Sequence, residues 1–171
     1  MKNNSIVLLL TGPGGAGKTT IANLLVDRCD FVRIDGDHLD AEFFPDGGHW
    51  FPENLEKLKL AHQKIFSETK KAFKKSKKNI VLDYLIFGDY LNFLKIFKKE
   101  FGDDFKFKVL FPTKEEMIKR DKERECWTTG VERITEVRED FEKLRGAIGN
   151  DNFIDTTGQT PWETIKTYFN L

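Results

Sequence analysis

The sequence lacks the features that mark disulfide-rich, secreted or membrane-spanning proteins. It has two cysteines, Cys29 and Cys126, which lie far apart and form no C-x-x-C pair, so we expect neither a disulfide framework nor a zinc motif. No apolar run approaches the length of a membrane span, and no signal-peptide pattern precedes the first apolar stretch. We therefore expect a reduced, cytoplasmic protein with no membrane partner.

The sequence also lacks a net charge. Its 28 basic and 28 acidic side chains cancel, so no overall field attracts nucleic acid or a membrane surface. Partners must therefore be recognised by local sites. The 171 residues fit one domain, 1–171, and contain no internal repeat, linker or low-complexity segment.

Arginine is missing from a long central stretch, residues 34–119. The planar guanidinium is the side chain that grips phosphate or carboxylate with two parallel hydrogen bonds. An anionic ligand in this stretch would have to be met by lysine, histidine or backbone N–H groups. The absence of arginine therefore favours a neutral or cationic ligand there.

The motif that organises the chain lies near its N-terminus. The apolar run Ile6–Thr11 is followed by Gly12–Thr19, which matches the Walker A pattern G-x-x-x-x-G-K-[ST] at every required position. Residues 21–29 then carry apolar side chains at helical spacing. The order strand, loop and helix predicts a phosphate-binding loop (P-loop). The alternative is a glycine-rich turn that matches by chance.

The chemistry of nucleotide binding explains these residue types. Several backbone N–H groups must wrap a polyphosphate at once, which only a loop without bulky Cβ atoms allows. At the positive end of the following helix, Lys18 can reach the β- and γ-phosphates and the Thr19 hydroxyl can ligate Mg²⁺. The expected ATP or GTP contacts are Gly12, Pro13, Gly14, Gly15, Ala16, Gly17, Lys18, Thr19 and Thr20.

Acidic residues follow two further predicted strands. Phe31–Ile34 is a strand by its β-branched and aromatic content, and it leads into Asp35 and Asp37. Asn79–Asp83 is a buried strand by its apolar character and also ends in an acid. Because ligands of open α/β sheets collect at the carboxyl ends of strands, we expect these three acids to face the bound phosphates.

The remaining elements alternate between helices and strands. A loop over 43–52 leads into a helix from Pro52 or Glu53 to about Ser76, which has a lysine-rich end. After the strand that ends at Asp83 come a helix closed by Gly102, a strand over 105–111 and a helix opened by a capping box from Thr113 to Glu116. A break over 125–130 is followed by an amphipathic helix from about Val131, a strand over 152–154 and a final helix capped by Thr160. Five strands alternating with helices indicate an α/β fold with a parallel sheet and helices on both faces.

Two absences narrow the function of the P-loop. GTPases resembling Ras need N-K-x-D for guanine, and no such string occurs. An ATPase built for motion would need a much longer chain. Of the classes of P-loop protein considered, a small kinase is the one that these absences leave.

The pair Asp35 and Asp37, together with Arg120 and Arg124 before the break, resembles the small P-loop kinases related to nucleoside monophosphate kinases. This group includes gluconate kinase, shikimate kinase, adenylylsulfate kinase and chloramphenicol phosphotransferase. The resemblance implies a three-layer fold with sheet order 2-3-1-4-5, an acceptor-binding insert over about 38–78 and a short lid over about 120–133. It also implies that the loop 155–161 lies beside adenine, which adds Thr157, Gly158 and Gln159 to the nucleotide contacts.

In this group the acids after the second strand contact Mg²⁺ and the acceptor hydroxyl. By analogy Asp37 is the candidate base, Asp35 and Asp83 join Thr19 as candidate Mg²⁺ contacts, and Lys18 with the two lid arginines neutralises the transferring phosphoryl group. The alternatives are that one acid of the pair caps a following helix, and that Arg120 and Arg124 form salt bridges with Glu116 or Asp121.

The resemblance predicts an ATP- and Mg²⁺-dependent kinase that phosphorylates a hydroxyl of a small molecule. The candidate acceptor contacts are Asp37, His38, His49, Trp50 and Asp83. Such a lining suits a neutral or cationic compound with a flat ring. The competing interpretation of His49 and Trp50 is an ordered aromatic plug in the core. The sequence leaves open whether the protein is a monomer or a homodimer.

Two rival functions remain. The first is a polynucleotide 5′-hydroxyl kinase, or a nucleoside or nucleotide kinase; the polynucleotide enzyme would use the lysine-rich helix end as a phosphate track. The second is an ATP-binding regulatory protein with little turnover, which would tolerate loss of Asp37.

Overall fold

A five-stranded parallel sheet forms the centre of the protein, in the order β2-β3-β1-β4-β5. The computed structural model describes residues 5–125 and 127–169. The strands are Val7–Thr11 (β1), Phe31–Asp35 (β2), Asn79–Asp83 (β3), Phe105–Leu110 (β4) and Phe153–Ile154 (β5). Both the α/β class and the strand order expected from the resemblance are confirmed.

Helices connect the strands and cover both faces of the sheet. They are Lys18–Cys29 (α1), Gly36–Asp40 (α2), Leu55–Ser76 (α3), Tyr90–Phe101 (α4), Lys114–Lys122 (α5), Val131–Ile148 (α6) and Pro161–Tyr168 (α7). Single 3₁₀ turns precede α3, β4 and β5 at Pro52–Asn54, Gly102–Asp104 and Asn150–Asn152. In the part of the chain that the structure describes, no helix is both long and apolar enough to cross a bilayer.

The alternation of side chains along the central strand divides the core into two layers. Leu8 and Leu10 of β1 pack with Leu25 of α1 on one face. Val7 and Leu9 point to the other face, into a cluster with residues of α3 and α4. Because all of β1 is buried, the loop that follows it is held at a fixed place at the carboxyl end of the central strand.

The short helix α2 is absent from the sequence prediction. It follows β2 directly, and Asp35 is its N-cap, with a carboxylate that accepts the His38 N–H at 3.0 Å. A helix of five residues is too short to show a hydrophobic period. The capping role considered for the acidic pair therefore belongs to Asp35, while Asp37 in the first turn remains free for another role.

The lysine-rich end of α3 lies far from the P-loop. By its rise per residue, α3 is roughly 33 Å long. Its C-cap, Lys77, accepts a hydrogen bond from the Ser5 hydroxyl at the amino-terminal edge of the sheet. Several of its lysines are paired, including Lys70 with Glu100 and Lys78 with Asp30. This end is thus a solvated helix terminus on the side opposite the carboxyl ends of the strands.

Candidate active site

The P-loop between β1 and α1 needs glycine because its backbone runs close to neighbouring chain segments. Gly12 and Gly15 have positive φ angles of 139° and 74°. A Cβ atom at Gly12 would lie 2.4 Å from the carbonyl oxygen of Leu110, and one at Gly15 would lie 2.2 Å from that of Met117. The loop is therefore held between the end of β4 and helix α5.

Lys18 at the first position of α1 is buried under this loop. Its ammonium donates hydrogen bonds to the carbonyl oxygens of Gly12 at 2.8 Å and Pro13 at 3.2 Å. Burial lowers the pKa of Lys18, and the nearby carboxylates of Asp37 and Asp83 oppose that shift. The amine is thus positioned at the loop that would hold the phosphates.

A carboxylate and a hydroxyl meet beside the loop. Asp83 is 2% exposed at the end of β3, and its Oδ2 accepts the Thr19 hydroxyl at 2.8 Å. Asp35 lies opposite Asp83 in the β2–β3 register. The sheet therefore brings together three residues that the sequence proposed as metal contacts, although they are separated by up to 64 positions in the chain.

Arg33 joins this group, and sequence reasoning missed it. Its guanidinium Nη2 lies 2.7 Å from Asp83 Oδ2 and 2.9 Å from Asp35 Oδ2. Period two along β2 places Arg33 on the same face as Asp35, and this was the signal that could have found it.

These residues fit a divalent cation bound together with phosphates. Asp83 Oδ1 is buried and has no hydrogen-bond partner among the described residues, so one oxygen of the carboxylate is available. The Thr19 hydroxyl donates a hydrogen bond to Asp83, and the lone pairs of its oxygen remain available to a metal ion. Among the described residues, no three His, Cys, Asp or Glu side chains form a complete metal cluster. Mg²⁺ characteristically completes such a partial set with substrate phosphates and water.

Asp37 projects from the first turn of α2 into the same region. Its side chain reaches solvent, yet enough protein surrounds the carboxylate for desolvation to raise its pKa to about 6. The positive charge of Lys18 opposes this rise, while the negative charges of Asp40, Asp83 and Asp35 add to it. Asp37 is thus a carboxylate with an enhanced proton affinity near the P-loop lysine.

The two predicted lid arginines form the salt bridges that were considered as alternatives. Arg120 Nε lies 2.8 Å from Glu116, and Arg124 lies 3.4 Å from Asp121. Arg120 also donates to the carbonyl of Thr156 at 2.9 Å, a buried loop residue that the sequence analysis did not single out. These ion pairs hold both arginines in place. They do not remove the arginines from the candidate site, because both side chains line the cavity beside the P-loop.

That cavity has a volume of about 290 Å³ and lies between the P-loop, α5 and the loop that precedes α7. Gln159 lines it, whereas Thr157 accepts the Thr113 N–H and donates to Asp155. Gly158 forms the turn between them with a φ of 69°. Of the three predicted loop contacts, Gln159 is therefore the one that faces this cavity.

A buried carboxylate fastens the lid segment. Asp121 accepts the N–H groups of Thr129 at 2.9 Å and Gly130 at 3.0 Å. Burial alone would raise the pKa of Asp121, but these backbone donors and Arg124 bring it below its ordinary value. A Cβ at Gly14 would lie 2.3 Å from Thr129 Oγ1, so the lid segment rests against the P-loop. The predicted lid range includes Cys126, which lies outside the described residues.

An aromatic cluster includes two of the predicted acceptor contacts, His49 and Trp50. The His49 ring is stacked 4.6 Å from Phe87, and its Nε2 lies 3.2 Å from Asp40 Oδ2. Arg133 places its guanidinium 4.3 Å from the centre of the half-exposed Trp50 ring. These residues line a cavity of about 280 Å³. His49 is thus packed as the plug interpretation proposed, while the Trp50 side chain faces an open cavity; the His38 side chain is exposed on α2.

Comparison with known proteins supports this fold, whereas neither a family model nor a curated protein matches the sequence. A tunicamycin resistance protein from Deinococcus radiodurans superimposes with a TM-score of 0.65 over 97% of this chain and 94% of its own, at 16% identity. A gluconokinase from Sinorhizobium meliloti 1021 gives 0.62 over 97% and 90%, at 14% identity. A structure of the Pnkp1/Rnl/Hen1 RNA repair complex gives 0.58 over 84% and 46%, at 20% identity.

The chain therefore has the fold of these solved structures, one of which is named as a kinase. At these identities the likeness concerns the fold alone.

Proposed function

We propose that the protein is a kinase that transfers the γ-phosphoryl group of ATP to a hydroxyl of a small molecule. The observation that carries this proposal is the convergence of Lys18, Asp37 and the Thr19–Asp83 pair at the carboxyl edge of the sheet. Phosphoryl transfer requires positioning and charge neutralisation more than covalent chemistry from the protein. This edge supplies a cationic group, a proton acceptor and a partial metal site beside one loop.

In the proposed reaction, the acceptor oxygen forms a bond to the γ-phosphorus as the bond from that phosphorus to the β,γ-bridging oxygen breaks. Asp37 accepts the proton of the attacking hydroxyl, and ADP leaves with the electron pair of the broken bond. Lys18 and the lid arginines Arg120 and Arg124 stabilise charge on the transferring group. Thr19 would hold Mg²⁺, with Asp35 and Asp83 reaching it directly or through water; the cation would neutralise charge on the phosphates.

The acceptor would bind on the side of Trp50 and Arg133. The cavity there has aromatic walls and contains the carboxylate of Asp140, so it suits a compound with a flat ring and a neutral or positively charged group. Arg133 is the arginine that lines this cavity, and its guanidinium already stacks on Trp50 and pairs with Glu136 at 3.1 Å. This pairing supports the expectation that the acceptor is not an anion held by an arginine fork.

The test is ADP release from MgATP with a panel of acceptors, comparing wild type with Asp37→Asn. The panel contains sugar acids, nucleosides, nucleoside monophosphates, amphenicol and aminoglycoside antibiotics, and 5′-hydroxyl RNA. We expect one acceptor class to stimulate ADP release in wild type and the variant to lose roughly 10²-fold or more of that rate, because a general base contributes about that factor. MgATP affinity should change little, since the base acts in the transition state.

Asp103→Asn is the matched control, because it removes the same charge from an exposed carboxylate in the turn before β4, at the amino-terminal end of that strand. Its rate should equal that of wild type. Equal stimulated turnover in wild type and Asp37→Asn would remove Asp37 from the mechanism. Bound ATP with no stimulation by any acceptor would favour the regulatory alternative.

A polynucleotide 5′-hydroxyl kinase is the second candidate, because the fold also matches part of the RNA repair complex. The position of the lysine-rich end of α3 argues against the phosphate track expected from the sequence, since that end lies at the opposite edge of the sheet. A polynucleotide acceptor predicts activity on the RNA of the panel with a steep loss in salt. A small acceptor predicts a weak salt dependence.

A further inference from the structure

Arg33 occupies one oxygen of each carboxylate that the proposed metal site would use, and among the described residues Asp83 Oδ1 alone stays without a hydrogen bond on that carboxylate. Its Nε and Nη2 lie 3.2 and 2.7 Å from Asp83 Oδ2, and Nη2 is also 2.9 Å from Asp35 Oδ2. With the Thr19 hydroxyl, Asp83 Oδ2 accepts three hydrogen bonds. This oxygen therefore has no room for a metal ion or a metal-bound water while Arg33 stays in place.

The environment makes this pairing strong. The Asp83 side chain is 3% exposed and that of Arg33 is 25% exposed, so water screens the pair weakly. A guanidinium is weakly hydrated and permanently charged, which suits it to a partly buried ion pair. Without Arg33, the carboxylates of Asp35 and Asp83 would lie side by side with one buried oxygen, Asp83 Oδ1, still unpartnered.

We propose that Arg33 is a resident counter-cation that makes divalent-metal binding depend on bound nucleotide. Free Mg²⁺ would find only Oδ1 of the Asp83 carboxylate open, and it would have to displace a bonded guanidinium to gain the Oδ2 atoms of Asp83 and Asp35. Metal that arrives with ATP brings phosphate oxygens as ligands, so it needs fewer oxygens from the protein. The site thus discriminates against metal alone, and Arg33 acts as a positioning and gating residue rather than a catalytic one. This inference rests on the metal site of the proposed function.

The test measures Mn²⁺ binding to protein without nucleotide, by the loss of the electron paramagnetic resonance signal of free Mn²⁺. We expect weak binding to wild type and at least tenfold tighter binding to Arg33→Met, which keeps the aliphatic stem and removes the charge. Arg33→Lys, which keeps the charge but lacks the fork, should fall between them. Arg145→Met is the matched control, because Arg145 pairs with Glu142 on the exposed face of α6.

Two further measurements separate gating from a structural role. The tighter Mn²⁺ binding of Arg33→Met should disappear when Asp83→Asn is added, because the vacated carboxylate is then lost. Arg33→Met should melt at a lower temperature than wild type without metal and recover in Mn²⁺, whereas a defect in packing would not respond to metal.

Three results would overturn the proposal. They are unchanged Mn²⁺ affinity in folded Arg33→Met, a gain that survives in the Asp83→Asn background, and wild type that binds Mn²⁺ equally well with and without a non-hydrolysable ATP analogue after the Mn²⁺ bound by the analogue alone is subtracted. The last comparison needs no variant and therefore stands if Arg33→Met does not fold. None of these measurements requires an acceptor or turnover, so failure of the kinase proposal and failure of the gating proposal give different results.

Discussion

Single residues in the P-loop show how backbone geometry limits side-chain choice. Gly15 has a φ of 74°, and a Cβ there would lie 2.2 Å from a backbone oxygen of α5. A neighbouring backbone atom cannot move aside as a flexible side chain can. The glycine is therefore needed for the shape of the loop as well as for access to phosphate.

Gly15→Ala should destabilise the protein by about 2 kcal/mol or more, because it combines a strained φ with overpacking. Nucleotide binding should weaken by roughly tenfold or more as the N–H groups of the loop shift. Denaturant unfolding and calorimetric titration with an ATP analogue measure the two effects. Gly146→Ala in α6 is the control, since a Cβ there meets nothing within 4 Å and should stabilise the helix by about 0.5 to 1 kcal/mol.

His62 illustrates a buried titratable group with no hydrogen-bond partner. It is 4% exposed, packs edge-on against Tyr84 and Phe93, and neither ring nitrogen forms a hydrogen bond with any residue that the structure describes. Desolvation lowers its pKa to about 4, with smaller opposing effects from Asp89 and Asp40. Its packed location agrees with the ordinary interpretation of a histidine in the middle of a helix.

The pKa of His62 predicts acid sensitivity. Between pH 6.5 and about 4 the unfolded chain binds a proton at this residue that the folded protein does not, so stability falls as the pH drops through this window. The loss at pH 4 should be about 3 kcal/mol as an order of magnitude. His62→Phe should flatten the dependence of unfolding free energy on pH, while His38→Asn, at an exposed histidine, should keep the wild-type slope.

At the scale of elements, the lid segment is tied to α5 by one carboxylate. Asp121 is 2% exposed and bonds the N–H groups of Thr129 and Gly130 across the break in helical structure. These bonds fix the segment that rests on the P-loop. The predicted lid segment is therefore fixed to α5 by contacts within the protein.

Asp121→Ala should release the lid and lower stability by about 1 to 3 kcal/mol, because it leaves buried donors unpaired. Hydrogen exchange at Thr129 and Gly130 should accelerate, while exchange in β1 should change only with global stability. Asp151→Asn, at an exposed position, is the control. Unchanged exchange at the two amides in folded Asp121→Ala would show that other contacts hold the segment.

The sequence predicts most elements because their signals are local. The P-loop, the buried strands and the capping box of α7 are each encoded within a few residues, and the structure contains both hydrogen bonds of that box. Helix α2 was not predicted because five residues are too few to show a hydrophobic period. The roles of Arg33 and Arg133 depend on partners that lie 50 and 83 positions away in the chain. Pairings over such distances follow from strand order and loop path, which local patterns do not determine.

At the scale of the whole molecule, the parallel sheet separates two kinds of surface. The candidate site lies at the carboxyl ends of the strands, while exposed lysines of α3 gather at the amino-terminal edge. The net charge of the chain is zero, but its charged side chains are therefore distributed unevenly over the surface. This separation is why the rival polynucleotide activity is best judged by its salt dependence.

The length of α3 also has a practical consequence. Lys74, Lys75 and Lys77 are exposed at the end of a helix that is roughly 33 Å long and begins beside the aromatic cavity. Lys18, by contrast, is buried with its amine bonded to the P-loop. Amine-reactive labels should thus attach to these three lysines, at the far end of α3 from the aromatic cavity, before they reach Lys18.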